Sequence, residues 1–410
     1  MESYSYLHLG EPEDPDRNVV CRYRVTTDLS MEKAAEAIAA EQSTGTWTGI
    51  STLDRSIFDG LGARITSIDG DVITCEFPAE DFSIETGAVP QILSVIAGNL
   101  FGLGALKAVR LEDVTFPKSI LEQFKGPKFG AEGIRKALKR PEEPLVGTIV
   151  KPKIGLSPEK TAEYVYEAGS GGLTNSKDDE TLVDQSFCPI EDRTIRVAEA
   201  LDRLEEEGRM MMHAVNVSTR SDRIVELAEK VQGWGAREIM IDVITCGYGC
   251  LQALAEDPSI KVPIHVHRTM HGAFTKDPRH GINMLVLSKL VRMVGGDALH
   301  IGTLGVGKMA AGAHDDSNLK ACLGDDVPYK TVMPVCSGGV HPSLVADIIA
   351  RSGMDVQIQA GGGVAGHPGG VRAGAMAMSQ AVHAAYEGIP AAEYAESHPE
   401  LRIALERWPR

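Results

Sequence analysis

Residues 147–180 read GTIVKPKIGLSPEKTAEYVYEAGSGGLTNSKDDE. An apolar run from Gly147 gives way to Ser157-Pro158-Glu159, an N-cap with proline at the first helical position. An amphipathic stretch follows, then glycines, then a second apolar run from Gly172. Strand, helix and strand in this order predict a β-α-β unit. The same alternation continues to the carboxyl end. Further strands are expected at MMHAVNV from Met211, EIMIDVI from Glu238, PIHVHR from Pro263, ALHIGT from Ala298, VMPVCSGG from Val332 and VQIQAGGG from Val356. With the first two these make eight, the number that closes a (β/α)₈ TIM barrel, which is expected over residues 126–410. A doubly wound open sheet is the alternative.

Residues 1–125 read differently, as a smaller α+β domain with a mainly antiparallel sheet. Val19 to Val25 alternates as a half-buried strand, and Ser30 caps the helical stretch MEKAAEAIAAEQ. Asp69-Gly70 stands between two alternating runs, a hairpin signal, and Gln91 to Phe101 is expected to form a second helix.

The chain has 410 residues and a net charge of −16, which argues against nucleic acid and anionic membranes as partners. No apolar run reaches the ~20 residues of a membrane span. The acidic, polar amino terminus is unlike a secretory signal, so a cytoplasmic protein is expected. Seven cysteines at irregular spacing do not suggest a disulfide scaffold. Cys246 and Cys250 are expected as reduced thiols at a strand-to-helix junction. The 43 glycines against 5% aromatics instead suggest many tight turns where backbone approaches ligand.

In such barrels the residues that finish each strand carry the chemistry. Strand one ends Lys151-Pro152-Lys153, whose ammonium groups share a side by period-two alternation unless both simply face solvent. Strand two ends Lys177-Asp178-Asp179-Glu180, where one ammonium and two carboxylates can converge unless they form only a solvated ion-pair cluster. An ammonium cannot coordinate Mg²⁺, but a lysine that has added CO₂ is a carbamate and supplies a third hard oxygen ligand. Lys177, at a strand end, is expected outside the packed layers, so Lys177→Ala should leave the barrel folded. Strand five ends His265-Val266-His267-Arg268, with two imidazoles on one side. Strand six gives His300 and then a glycine-spaced loop carrying Lys308, which lacks the end of a P-loop. Ser337-Gly338-Gly339 and Gly361-Gly362-Gly363 leave backbone N–H groups bare after strands seven and eight, where barrels commonly bind phosphate. Arg268 and His300 could hold a second anion, so a substrate with a phosphate at each end fits.

These motifs, GTIVKPKIGL, GGLTNSKDDE, HVHRTMHGAF, HIGTLGVGK, SGGVHP and QAGGGVAGHP, resemble in order those of the large subunit of ribulose-1,5-bisphosphate carboxylase/oxygenase (RuBisCO) over nearly the whole chain. The resemblance implies roles residue by residue. Lys177 would be the lysine carbamylated by an activating CO₂, binding Mg²⁺ with Asp179 and Glu180 and acting as base. Lys151 would move protons late in the reaction, beside Lys153 near the metal and His267 as a proton-handling imidazole. Lys308 would stabilise the new carboxylate. Thr46, Trp47, Gly339, Gly361 and Gly362 match one phosphate site; Arg268, His300 and Ser337 match the other. Glu41 would pair with Lys308 across a subunit boundary, and Asn99 would contact the sugar, which implies a homodimer or an assembly of dimers without a small subunit.

The implied reaction is carboxylation of ribulose-1,5-bisphosphate to two 3-phosphoglycerates, with O₂ competing as in a monooxygenase. Ile149 preceded by Thr148, Thr174-Asn175-Ser176 before Lys177, Ala310 in the loop and the end at Arg410 depart from the plant-type pattern. The first of these resembles the archaeal form III branch. Two other readings stand beside the carboxylase: a RuBisCO-like enolase or isomerase of sulfur-sugar salvage, and a catalytically silent binder of phosphorylated sugars.

Overall fold

The structure is a computed structural model that describes residues 4–46, 48–307 and 315–409. The chain forms two compact units. One comprises the chain up to Lys125 together with Met270–Met293; the other comprises Gly126–Thr269 and the chain from Val294.

The first unit is built on a five-stranded sheet. β1 (Asn18–Thr26), β2 (Arg64–Asp69), β3 (Val72–Pro78) and β4 (Ala108–Thr115) run in the order β4-β1-β3-β2 and pair antiparallel. Gly70 takes φ 59° in the turn between β2 and β3, a conformation that favours glycine. After β1 the helix Met31–Gln42 starts where Ser30 Oγ accepts from the Lys33 N–H, and buries Ala34, Ala35, Ile38 and Ala39. The expected helix over Gln91 to Phe101 runs instead from Ala88 to Ile96. It ends before Gly98, where a Cβ would lie 2.3 Å from the Ser94 carbonyl oxygen; a short 3₁₀ turn, Leu100–Gly102, follows.

Met270–Met293, which the sequence reading left in the barrel domain, belongs to this first unit. Its β10 (Gly281–Ile282) adds to the sheet in parallel with Arg110 and Leu111 of β4. Buried Arg110 donates to the Asp277 carbonyl (2.5 Å), and Lys289 pairs with Asp113 at 2.6 Å. Long-range pairing of this kind leaves no trace in local periodicity.

The second unit is a closed barrel of eight parallel strands. They are β5 (Leu145–Ile149), β6 (Asn175–Lys177), β7 (Met212–Asn216), β8 (Glu238–Asp242), β9 (Ile264–His267), β11 (Ala298–Gly302), β12 (Met333–Ser337) and β13 (Gln357–Gln359). Seven lie within the predicted runs, β5 begins at Leu145, two residues before its run, and the ring closes where Gln357 pairs with Leu145. The open sheet is thereby ruled out. At the amino-terminal end, Leu145, Met212, Ala298 and Met333 pack with Ala131, Ile134 and Leu138 of the helix Gly130–Leu138. This apolar cluster closes one end of the barrel and leaves the other for polar groups. That helix is held at its start by Asp297, whose Oδ1 accepts from the N–H groups of Phe129 and Gly130 at 2.7 Å each. Cys246 and Cys250 lie just after β8, in the helices Val243–Cys246 and Tyr248–Glu256. No helix among the described residues is long and apolar enough to cross a membrane.

Candidate active site

The carboxyl ends of β5, β6, β8 and β9 bring three lysines, three carboxylates and a histidine together. β5 stops at Ile149, so Lys151 and Lys153 lie in a bend beyond it. Strand alternation therefore cannot direct their side chains, as the sequence reading assumed. They converge because carboxylates draw them in: Lys151 Nζ donates to Asp179 Oδ2 at 2.7 Å, and Lys153 Nζ to Glu180 Oε1 at 3.2 Å. Lys151 is part-buried, whereas Lys153 does face solvent while pairing with Glu180.

Lys177 ends β6 and is 1% exposed, among the largest fully buried side chains. The expectation that it stands outside the packed layers is wrong. β6 contributes only Asn175–Lys177, so its last residue is still flanked by β5 and β7. Its Nζ donates to the Asp178 carbonyl (2.8 Å) and lies 3.7 Å from Glu180 Oε2. Burial pushes the Lys177 ammonium below the ordinary lysine range, against the opposing pull of Glu180, Asp179 and Asp242. Burial alone would raise the Glu180 carboxyl, but His267, Lys177 and Lys153 outweigh it and hold the group at about 2.

The turn that presents these groups is anchored by Asp178, which the sequence reading passed over. Asp178 and Arg193 are both fully buried, with Oδ2 3.1 Å from Arg193 Nη2. The same carboxylate meets His213 Nε2 at 3.1 Å and accepts the Asn216 N–H at 3.0 Å. With the Asp178 side chain turned inward to these partners, Asp179 and Glu180 are left to meet the lysines. Asn216 Nδ2 donates to the Glu180 carbonyl (3.2 Å), and Thr181 Oγ1 to Asp179 Oδ1 (2.9 Å). A solvated cluster of charges would show none of this burial.

His265 and His267 do share the barrel interior, as period two requires. His267 Nδ1 meets Asp242 Oδ1 at 3.1 Å, and its Nε2 lies 3.8 Å from Glu180 Oε2. Burial and the neighbouring Lys177 lower its basicity. Its ring centroid is 4.8 Å from that of His300, whose Nδ1 meets Ser337 Oγ at 2.6 Å. Burial, together with His267 and His265, holds His300 well below the ordinary imidazole range, so it is neutral near pH 7. Asp242 finishes strand four; the rule of inspecting strand ends would have found it. Arg193 lies on the helix Ile190–Glu206, and nothing in the local sequence marks it.

Gly338 and Gly339 take φ 113° and 76° after β12, a backbone path that favours glycine. Gly361 adjoins Lys151: a Cβ there would stand 3.0 Å from Lys151 Cε. Gly362 is exposed at the start of a four-residue helical turn, and Arg268 follows β9 part-buried. In the first unit Asn99 Nδ2 donates to Glu41 Oε1 at 3.3 Å, and Thr46 is part-buried. Trp47 and Lys308 lie outside the described residues.

The model of the ribulose bisphosphate carboxylase large chain catalytic domain matches residues 130–408, and that of its N-terminal domain matches residues 9–120. The chain belongs to this family. A ribulose bisphosphate carboxylase of Methanosarcina mazei is 39% identical, covering 98% of each chain. The octameric Rubisco from Pyrococcus horikoshii superposes with a TM-score of 0.91 at 37% identity, over 98% of this chain and 96% of that one. The dimeric archaeal Rubisco from Hyperthermus butylicus gives 0.88 at 37% identity, over 98% of both.

Proposed function

We propose that this protein is a ribulose-bisphosphate carboxylase, with O₂ as a competing substrate. The observation that carries the reading is the buried Lys177 amine, 3.7 Å from Glu180 and in the same turn as Asp179. Two carboxylates faced by three ammonium groups cannot hold a divalent cation well. Conversion of the Lys177 amine to a carbamate replaces a positive charge with a negative one and leaves three hard oxygen donors, which suit Mg²⁺. Lys177 as carbamate, Asp179 and Glu180 would then be the ligands. Bound there, Mg²⁺ would polarise the substrate's C2 carbonyl and favour loss of the C3 proton.

The chain's own residues account for the rest. Lys151 and His267 stand at the same carboxylates and can hold or deliver protons as CO₂ joins C2, water adds at C3 and the C2–C3 bond breaks. Lys153 keeps a cation at Glu180 and Asp179. Bare N–H groups at Gly338, Gly339, Gly361 and Gly362, completed by Thr46 and Trp47 from a second chain, suit one phosphate. Arg268, His300 and Ser337 suit the other. Lys308 would meet the new carboxylate. Glu41 and Asn99, already paired, would complete the site of a partner subunit, so the active form is a homodimer or an assembly of dimers. A RuBisCO-like enolase has no need of the full set Lys151, His267, Arg268 and His300, and a silent binder has no need of a buried lysine among carboxylates.

The test is incorporation of labelled bicarbonate with ribulose-1,5-bisphosphate, without oxygen, after preincubation with Mg²⁺ and CO₂. Label in 3-phosphoglycerate that depends on the preincubation is expected. Absence of label with the substrate still bound would transfer the protein to the enolase class.

A further inference from the structure

From Ser337 and His300 at the candidate site a line of side chains runs into the barrel interior, to two buried groups that the chemistry above does not use. Ser337 Oγ meets His300 Nδ1 at 2.6 Å, and His300 Nε2 meets His265 Nε2 at 2.7 Å. Beyond it, Glu238 Oε1 lies 3.5 Å from His265 Nδ1. His265 and Glu238 are both fully buried. Among the described residues neither Glu238 oxygen nor His265 Nδ1 has a hydrogen-bond partner, an uncommon state for buried polar groups.

The proton count along this line decides what Ser337 can do. Only one proton fits between the two Nε2 atoms. With Glu238 ionised and both rings neutral, the second ring proton sits on His265 Nδ1, facing the carboxylate. His300 then gives its Nε2–H to His265, and its bare Nδ1 takes the hydroxyl proton of Ser337. In that state Ser337 cannot donate to an anion. Adding one proton reverses the line: His265 donates to His300, His300 donates to Ser337, and the Ser337 hydroxyl is released to donate outward. The extra charge rests on the His265–Glu238 couple, where the carboxylate offsets it.

We infer that Glu238 and His265 are positioning residues that, through His300, turn Ser337 from acceptor to donor by taking up one proton from solution when a phosphate group of the substrate binds. This rests on Ser337 contacting that phosphate. The charged and titratable groups facing the line are Asp297 beside Glu238, and His267, Lys177 and Arg268 around His300. None of them interrupts it.

The test is calorimetric titration of the whole protein with ribitol-1,5-bisphosphate, which has no carbonyl to react, in buffers of differing ionisation heat. Wild type is expected to take up about one proton more than Glu238→Gln, because a glutamine amide can accept or donate and lets the line reverse without a solvent proton. In alkaline solution wild-type affinity should fall about tenfold per pH unit relative to a flat Glu238→Gln profile. His265→Gln, whose amide also donates to His300, should behave like Glu238→Gln and serves if the first variant does not fold. Equal proton uptake in wild type and variants would overturn the inference. Ser337→Ala separates the two claims: if it binds the ligand as wild type does, the contact of Ser337 with phosphate is wrong; if it binds weakly while the variants still match wild type in uptake, only the proton line is wrong.

Discussion

At the scale of single residues, Lys177 and Asp178 divide the work of the second strand end. Lys177 is buried against carboxylates that hold it by charge as well as by packing. Replacing it with methionine keeps most of its volume while removing the amine. Lys177→Met should therefore leave the unfolding midpoint close to wild type and lower carboxylation by at least about 10³-fold, read by label incorporation. Lys177→Ala, by contrast, leaves a cavity and should cost about 2–5 kcal/mol in denaturant unfolding. Asp178 answers to a different test. Asp178→Asn strands the fully buried Arg193 without its counter-charge and should destabilise the second unit by about 3–5 kcal/mol. Full stability in that variant would remove Asp178 from its anchoring role.

At the scale of elements, the short ones decide the chemistry. A three-residue β6 keeps its terminal lysine inside the wall, and the bend after β5 lets two lysines reach back to β6. Another short element carries a titration. The 3₁₀ turn Ala79–Asp81 after β3 leaves Asp81 Oδ2 buried with no hydrogen-bond partner among the described residues. Burial, with Glu80 alongside, raises the Asp81 carboxyl from 3.8 to about 7. An acid raised in the folded state contributes stability that is complete below its unfolded pKa and is lost as pH rises through the folded one. Asp81→Asn should thus raise the melting temperature at about pH 8 and leave it nearly unchanged at about pH 4, in thermal scans at the two values. A loss of stability at both would show that the carboxylate makes a favourable contact.

At the scale of the whole molecule, the proposal that Glu41 and Asn99 complete a partner's site makes a quantitative claim. Glu41→Gln and Lys177→Met proteins, each inactive alone, should recover activity when mixed and allowed to exchange subunits. Random pairing makes half the dimers mixed, and each mixed dimer has one intact site, so about a quarter of wild-type activity is expected. Steady-state assays of the mixture against the separate proteins read this directly. No recovery after demonstrated exchange would place Glu41 and Lys177 of one site on the same chain.

The eight barrel strands, the hairpin at Asp69-Gly70 and the helix after Ser30 were legible in the sequence, because each is written in local periodicity, capping and turn chemistry over a few residues. Most of the candidate site was legible too, since chemistry in such a barrel gathers at strand ends and the motifs there are short and contiguous. Tertiary structure alone decided the rest. It buried Lys177, bound Asp178 to Arg193 on a helix begun after an intervening loop, and joined Met270–Met293 to the first sheet. It also lined His265 up between Glu238 and His300. These facts depend on where a closed barrel or a distant strand places a side chain, and residues far apart along the chain carry no local signal of the partner they will meet.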